Sequence, residues 1–284
     1  MYPRAFDYVA VASIDEAIEA LASHPGAKVM SGGMSLIPMM KLRLLSPETV
    51  IDIGKVPGLD QIEDGGDHIS IGALVTHGAI VASSLLRAEA TALVQAASWT
   101  GDVQVRNRGT LCGALAHADL AADSPAAVLA LGATMIAQGP GGTREIAAAD
   151  FFVDTLQSAL TPDEVLVGLR IPKRGGGSAY DKLGRRGGHS DYAVAGVAAW
   201  VSMSGGVVSD CGVALTGVGT KPAMATAVME ALRGSGPDGV EAAASHATDG
   251  VTVLEDLYGS EAYKAHLARV YTARAVQQAM AAAS

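Results

Sequence analysis

Cysteine is scarce in this chain of 284 residues, and its scarcity excludes several kinds of site. The two cysteines, Cys112 and Cys211, lie far apart, belong to no C-x-x-C pair and are not accompanied by paired histidines. This excludes a sequence-local zinc or iron–sulfur site on this chain, and also a disulfide framework. Free cysteines favour a reducing compartment, so we expect a cytoplasmic protein.

Basic residues, aromatic residues and long apolar runs are also few. Lys and Arg number 20 against 29 Asp and Glu, and the resulting net charge of −9 argues against a nucleic-acid partner. The N-terminus lacks the pattern of a signal peptide, and no apolar run reaches the roughly 18 residues of a membrane span. Aromatic residues make up 4% of the chain, so we expect a binding pocket built mainly from backbone.

Hydrophobic residues and glycine are abundant. Hydrophobic residues make up 49% of the chain and glycine occurs 34 times, which indicates a globular protein with many close backbone approaches. The pattern of helices and strands predicts an α+β fold in three regions: residues 1–54, 55–174 and 178–284. The sequence Arg-Gly-Gly-Gly-Ser at 174–178 is the best candidate for a linker.

The first region is predicted to form a β-α-β unit. Ser13 and Glu16 form a capping box at the start of a helix. The apolar residues that follow recur at helical spacing: Ile14, Ala17, Ile18 and Leu21. Strands at 27–30 and 50–53 flank a glycine-rich turn and a helix at 35–45, so we expect these strands to be parallel.

The other two regions show mixed patterns. For the second region we predict strands at 68–73 and 165–171, helices at 91–100 and 124–132, a loop at 101–108 and a hairpin tip at 139–142. For the third we predict alternating strands at 193–203 and 207–216, a Gly205-Gly206 hairpin and terminal helices. The last helix has an apolar face of Tyr263, Leu267, Val270 and Tyr271.

Two short glycine segments carry the strongest sign of function. Residues 31–35 (Ser-Gly-Gly-Met-Ser) follow a strand and open a helix, a place where backbone amides bind phosphate. Residues 109–113 (Gly-Thr-Leu-Cys-Gly) form the second segment. Each alone is more often a plain tight turn, and neither fits the standard dinucleotide or P-loop pattern.

Together with their flanks, the two segments resemble a known family. Residues 31–43 (SGGMSLIPMMKLR) are similar to the flavin loop of the FAD-binding subunits of molybdenum hydroxylases, the xanthine dehydrogenase family. Residues 108–123 (RGTLCGALAHADLAAD) resemble the second flavin loop of that family. Further matches lie at 180–186 (YDKLGRR), at 191–193 (DYA) and in the last helix at 262–268. The matches cover the whole chain in the expected order.

The resemblance implies an FAD-binding fold of the vanillyl-alcohol-oxidase-like (PCMH) type with a C-terminal α+β domain. It also implies a medium subunit that works with two partners, a large molybdopterin subunit and a small subunit with two [2Fe-2S] clusters, in a dimer of heterotrimers. Substrate is then oxidised at molybdenum, and electrons reach FAD on this chain and leave for an external acceptor. No metal site and no catalytic residue are expected here.

Site residues follow from the resemblance position by position. The first segment and its flank would wrap the pyrophosphate, with Lys28 adding charge: Lys28, Met30, Ser31, Gly32, Gly33, Met34, Ser35 and Leu36. The second would hold the other side of the pyrophosphate and the ribityl chain: Thr110, Leu111, Gly113 and Ala114. Asp123 would accept a ribose or ribityl hydroxyl, and Leu166 would line the adenine or dimethylbenzene edge. Lys182 would offset charge on reduced flavin, and Tyr192 would cover one flavin face. As alternatives, Lys182 is part of a solvated basic face and Tyr192 is a core residue.

Two departures from the family pattern bear on function. Cys112 stands where glycine is frequent, and we expect a buried, unreactive thiol. Leu120 stands where proline is common, which would loosen the turn before Asp123. These departures support an alternative, a structural subunit of the same fold without flavin. His77 lies near the second glycine segment, and one alternative for it is an approach to FAD; His77 and His189 are otherwise expected to be satisfied core or surface histidines.

The substrate and the type of enzyme leave further alternatives. Cys112-Gly113 followed by His117-Ala118-Asp119 resembles the branch that hydroxylates N-heteroaromatic compounds, and carbon monoxide and aldehydes are the next candidates. A stand-alone flavin oxidase is disfavoured, because the chain shows neither a separate substrate domain nor a residue placed for covalent flavin attachment.

Overall fold

The structure is a computed structural model that describes residues 2–186 and 191–283, so His189 lies outside the described residues. The first region contains β1 (Asp7–Ala10), α1 (Ile14–Ser23), β2 (Lys28–Met30), α2 (Leu36–Leu42) and β3 (Thr49–Asp52). The strands form a parallel sheet in the order β1-β3-β2, which confirms the predicted β-α-β unit. Helix α2 is shorter than predicted because Arg43 turns into the left-handed conformation.

The predicted capping box forms with one change of partner. Ser13 Oγ accepts a hydrogen bond from Glu16 N at 3.1 Å, as expected. The Glu16 carboxylate accepts from Ala12 N at 2.7 Å rather than from the amide of Ser13. The apolar face of α1 is buried and the helix packs against β3, so this pattern correctly placed the first helix.

The second region holds an antiparallel sheet and six successive helices. The strands are β4 (Ile62–Asp64), β5 (His68–Gly72), β6 (Thr134–Gly139), β7 (Gly142–Ala147) and β10 (Val165–Pro172), in the order β4-β5-β10-β6-β7. A short hairpin of β8 (Phe152–Asp154) and β9 (Gln157–Ser158) follows α9 (Ala148–Phe151). Pairing of Gly139 with Gly142 confirms the predicted hairpin tip.

The helices lie between β5 and β6. They are α3 (His77–Ala82), α4 (Ser84–Glu89), α5 (Thr91–Trp99), α6 (Val103–Arg106), α7 (Leu111–His117) and α8 (Asp123–Ala130). The loop expected at 101–108 contains α6, because Asp102 accepts a hydrogen bond from Val105 N and so caps a helical turn. Every residue of α8 is buried, as its Ala-rich sequence suggested.

The third region is a four-stranded sheet followed by helices. It contains β11 (Gly177–Gly184), β12 (Ala193–Ser204), β13 (Val207–Thr216), β14 (Ala223–Met224), α10 (Thr226–Leu232), a 3₁₀ turn (Pro237–Gly239), α11 (Val240–Ala244) and α12 (Glu261–Ala282). The expectation of a half-exposed strand is wrong for β12. Its residues from Ala193 to Val201 are all buried, because α12 covers one face of the sheet and α5 and α8 cover the other.

Two further predictions change in the third region. The segment at 174–178 is packed rather than free: Arg174 stacks over the Trp200 ring, and Trp200 Nε1 donates to Gly175 O at 2.8 Å. In α12, Tyr263 is exposed and Lys264 is buried, so the apolar face is rotated from the predicted one. In the described part of the chain, no helix is long and apolar enough to cross a membrane.

Candidate cofactor-binding site

The first glycine segment lies between the end of β2 and the start of α2. Gly33 has a φ of +73°, a conformation that glycine adopts at little cost. Its carbonyl oxygen accepts from Ile37 N at 3.0 Å, which begins the helix. The hydroxyl of Ser35 makes no capping hydrogen bond to α2 within the described residues, so it is available to a ligand.

The second glycine segment is the first turn of a helix rather than a loop, which corrects the sequence-based picture. Thr110 is the N-cap of α7, and its Oγ1 accepts from Gly113 N at 3.2 Å. The amide of Leu111 donates to Val75 O at 3.0 Å, and that of Ala114 donates to Thr110 O at 3.1 Å. The backbone amides of Leu111 and Ala114 are therefore both occupied by bonds within the protein. The Leu111 side chain is also buried.

The two segments meet and form one site, which we call the glycine junction (residues 31–33, 109–110 and 113). Ser31 Oγ and Thr110 Oγ1 share a hydrogen bond of 2.8 Å. A Cβ added to Gly113 would lie 2.7 Å from Thr110 Oγ1 and 2.9 Å from Ser31 Oγ, and one on Gly32 would collide with the Arg108 carbonyl. Glycine is therefore required at both positions, and the junction presents backbone and hydroxyl groups, the chemistry that suits a pyrophosphate.

Methionines border the junction. Met34 Cγ would lie 3.5 Å from a Cβ on Gly109, and Met30 Sδ would lie 3.3 Å from one on Gly33. Leu36 is half-buried at the start of α2, and Lys28 is exposed on β2. The structure therefore places the first-segment candidates around one junction, with Lys28 at its outer end.

Asp123 and Lys182 are buried and bind each other. Lys182 Nζ lies 2.7 Å from Asp123 Oδ2 and 2.8 Å from Oδ1, and it also donates to the carbonyl of Asp191. Tyr180 Oη donates to Asp123 Oδ1 at 2.5 Å. The Lys182 side chain is 0% exposed, which excludes the alternative of a solvated basic face. The pair joins α8 to β11, and thereby the second region to the third.

Burial controls the titration of this pair. It raises the pKa of Asp123, against the effect of the Lys182 ammonium, because the charged carboxylate has lost its water. It also raises the pKa of Tyr180 well above its usual value, and the nearby Asp123 adds to that rise. The charges of Asp123 and Lys182 are matched within the protein, and the roles expected of these residues toward flavin stay predictions.

Tyr192 has the exposure expected of a residue that covers a ligand. Its side chain is 44% exposed, so the alternative of a core residue is wrong. Arg185 lies 5.1 Å from the Tyr192 ring centre and 4.4 Å from that of Tyr258. Leu166, by contrast, is buried in β10, which packs against α7, so its side chain belongs to the hydrophobic core.

The two departures from the family pattern, Cys112 and Leu120, do not obstruct the glycine junction. The Cys112 side chain is buried and lies near Gly72 O, and burial raises the pKa of its thiol to about 12. The turn at Leu120 is fixed rather than loose, because the third region holds it: Gly217 N donates to Leu120 O at 2.7 Å, and Thr216 Oγ1 donates to Leu120 O at 2.9 Å. The alternative without flavin therefore loses the support of both residues.

The sequence did not reveal that one ring nitrogen of His77 has no hydrogen-bond partner among the described residues. His77 is buried at the start of α3, and Nδ1 finds no hydrogen-bond partner in the ranges 2–186 and 191–283. The expectation of a satisfied histidine is therefore wrong. No local pattern could have shown this, because the groups around His77 come from the distant second glycine segment.

Comparison with known proteins identifies the family of the chain. Residues 4–174 match the family described as the FAD binding domain in molybdopterin dehydrogenase, and residues 178–279 match the CO dehydrogenase flavoprotein C-terminal domain. The chain therefore belongs to the FAD-binding medium subunits of the molybdenum hydroxylases, a class of oxidoreductase. The α+β fold and the FAD cofactor predicted from the sequence are confirmed.

Individual relatives match over nearly their whole length. The nicotine 6-hydroxylase medium subunit of Paenarthrobacter nicotinovorans is 35% identical over 277 residues, which cover 97% of each chain. The carbon monoxide dehydrogenase medium chain of Hydrogenophaga pseudoflava is 37% identical over 286 residues, 99% of each chain. A solved structure of carbon monoxide dehydrogenase from Hydrogenophaga pseudoflava, lacking the Mo-pyranopterin moiety, superposes with a TM-score of 0.96 at 38% identity over the whole of both chains.

Proposed function

We propose that this chain is the electron-transfer subunit of a three-subunit molybdenum hydroxylase and binds FAD at the glycine junction. Bound FAD would take up electrons from the iron–sulfur clusters of the small subunit and release them to an external acceptor. The observation that carries this proposal is the contact of two glycine segments through Ser31 and Thr110. Backbone, hydroxyl groups and a helix start are the groups that hold a pyrophosphate.

The partners follow from the relatives. Both are medium subunits or chains, and this chain spans 97% or 99% of their length, so we assign it to the medium-subunit position of such complexes. The partners are a large molybdopterin subunit and a small iron–sulfur subunit, in a cytoplasmic dimer of heterotrimers. Residues 1–54 and 55–174 would provide the flavin-binding subdomains, and residues 178–284 would hold them in place.

The substrate would be oxidised on the large subunit, and we propose an N-heteroaromatic compound. The pattern at Cys112-Gly113 and His117-Ala118-Asp119 supports this class, and one relative is named for nicotine hydroxylation. Carbon monoxide is the second candidate because the relative named for carbon monoxide dehydrogenase is 37% identical. The choice is tested by mixing the oxidised complex anaerobically with nicotine, quinoline, carbon monoxide or glyceraldehyde and following loss of visible absorbance.

The electron-transfer role is tested by removing FAD from the purified complex and adding it back. Without FAD, substrate should still reduce the iron–sulfur clusters, detected by electron paramagnetic resonance, while reduction of an external dye stops. Added FAD should restore dye reduction. Dye reduction at an unchanged rate without FAD would contradict the proposal, and loss of cluster reduction would show that this chain has another role.

A further inference from the structure

His77 is attached to the glycine junction by its backbone. Its N–H donates to Gly109 O at 2.9 Å, and Leu111 N donates to Val75 O at 3.0 Å. Thr76 and Thr110 pair between these two bonds as an antiparallel bridge. A short two-stranded contact therefore fixes the backbone of His77 opposite Gly109.

The imidazole ring faces the same glycine. A Cβ on Gly109 would lie 3.3 Å from His77 Cδ2, the ring carbon bonded to Nε2, so the ring lies beside the junction. Met34 approaches the same position, with Cγ 3.5 Å from that Cβ. Any side chain at residue 109 would fill the space between the ring and the first glycine segment.

The two ring nitrogens differ in what they can do. Nδ1 is enclosed and has no partner among the described residues. Burial, followed by the positive charge of Arg106, lowers the pKa of His77 to about 4, so the ring is neutral at neutral pH and carries one proton. An enclosed nitrogen without an acceptor is a poor place for that proton, which therefore resides on Nε2 as a donor.

We propose that His77 is a cofactor-binding residue whose Nε2–H donates a hydrogen bond to an oxygen of the flavin dinucleotide held at the glycine junction. The proposal rests on the placement of FAD at that junction. A buried polar ring is costly when it makes no hydrogen bond, and a bond to the cofactor offsets part of that cost. His77 thus joins Ser31 and Thr110 as a third side chain that contacts the ligand.

The test uses three substitutions of His77. Two of them place a side-chain amide nitrogen at the position of one ring nitrogen, and the third provides no hydrogen-bond donor. In His77→Gln the side-chain nitrogen reaches the position of Nε2, in His77→Asn it reaches that of Nδ1, and in His77→Leu no donor remains. FAD is titrated into each deflavinated complex, and quenching of flavin fluorescence gives the dissociation constant. We expect His77→Gln to bind nearly as the parent does, and His77→Asn and His77→Leu to bind about tenfold more weakly.

A control separates binding from folding. The thermal midpoint of each deflavinated complex is measured first, because a loss of stability without FAD reports packing of the imidazole alone. Equal affinity in all variants, or a loss in His77→Gln as large as in His77→Leu, would overturn the role of Nε2. If the parent complex itself failed to bind FAD, the placement of FAD on this chain would be at fault rather than the assignment of His77.

Discussion

The hydroxyl of Ser31 shares a 2.8 Å hydrogen bond with the hydroxyl of Thr110, 79 positions further along the chain. This bond joins a strand-to-helix turn in the first region to a helix start in the second. Thr110 also caps α7 through Gly113 N, so the same hydroxyl orders the helix and the contact between the regions. The glycine junction, our proposed cofactor site, is therefore formed by tertiary packing, and substitutions that separate these hydroxyls should affect flavin binding before they affect folding.

Gly113→Ala should weaken FAD binding by about tenfold or more, since its Cβ would separate the Ser31 and Thr110 hydroxyls. Gly113 lies inside α7, where alanine is a better helix former than glycine by about 1 kcal/mol, so the fold should be kept. The measurement is a titration with FAD and a thermal scan without it. Gly141→Ala, at a hairpin tip with nothing within 4 Å, is the matched control. Equal flavin affinity in both variants would contradict the structure of the junction.

Lys182→Met should destabilise the chain by about 3–5 kcal/mol, because it leaves the Asp123 carboxylate buried without its partner. Asp123→Leu should be similarly costly. The double variant should lose less than the sum of the two single losses, since no unpaired charge remains. Urea unfolding of the four proteins measures the coupling. Strictly additive losses would mean that the two groups do not act as one unit.

Neither cysteine should react with an alkylating reagent in the folded protein. Burial raises the pKa of Cys112 to about 12 and that of Cys211 to about 11, so both thiols stay protonated in neutral and mildly alkaline solution. Mass spectrometry after iodoacetamide treatment should find both unmodified until urea is added. Cys112→Ala should keep FAD. Rapid alkylation of native Cys112 would contradict the expectation of a buried, unreactive thiol.

Tyr192→Ala should retain FAD and shift its visible spectrum and reduction potential, because the exposed Tyr192 ring is the group that we predict to cover one flavin face. Tyr263→Ala is the matched control, since that ring is 45% exposed on α12. Absorbance spectra and a redox titration of both variants are the measurements. If the Tyr192 variant kept the parent spectrum and potential, the ring would not contact flavin.

Local sequence was sufficient where one short segment determines its own structure. The capping box at Ser13 and Glu16 correctly predicted the start of α1, and the segment from Gly139 to Gly142 correctly predicted a hairpin tip. The two glycine segments were also identified as one site, through the joint resemblance to a flavin family. For the helix and the hairpin the informative residues lie within a few positions of the structure that they form, whereas the two glycine segments were joined by the family resemblance alone.

Features made by distant segments could not be predicted in this way. Lys182 lies near Arg185 and Arg186 in the sequence and suggested a solvated face, because its partner Asp123 is 59 positions away. The two-sided burial of β12 depends on α12 and α8, which come from opposite sides of it in the chain. Among the described residues His77 Nδ1 finds no partner, a property of the packed structure that no spacing of residues encodes.

The most direct test of the central claim is the flavin content of the purified complex, measured by acid release and identified by chromatography. The structure predicts non-covalent FAD, equimolar with this chain, whose content falls in Gly113→Ala and is unchanged in Gly141→Ala. A colourless subunit that also fails to bind added FAD would contradict the claim that the glycine junction is a flavin site.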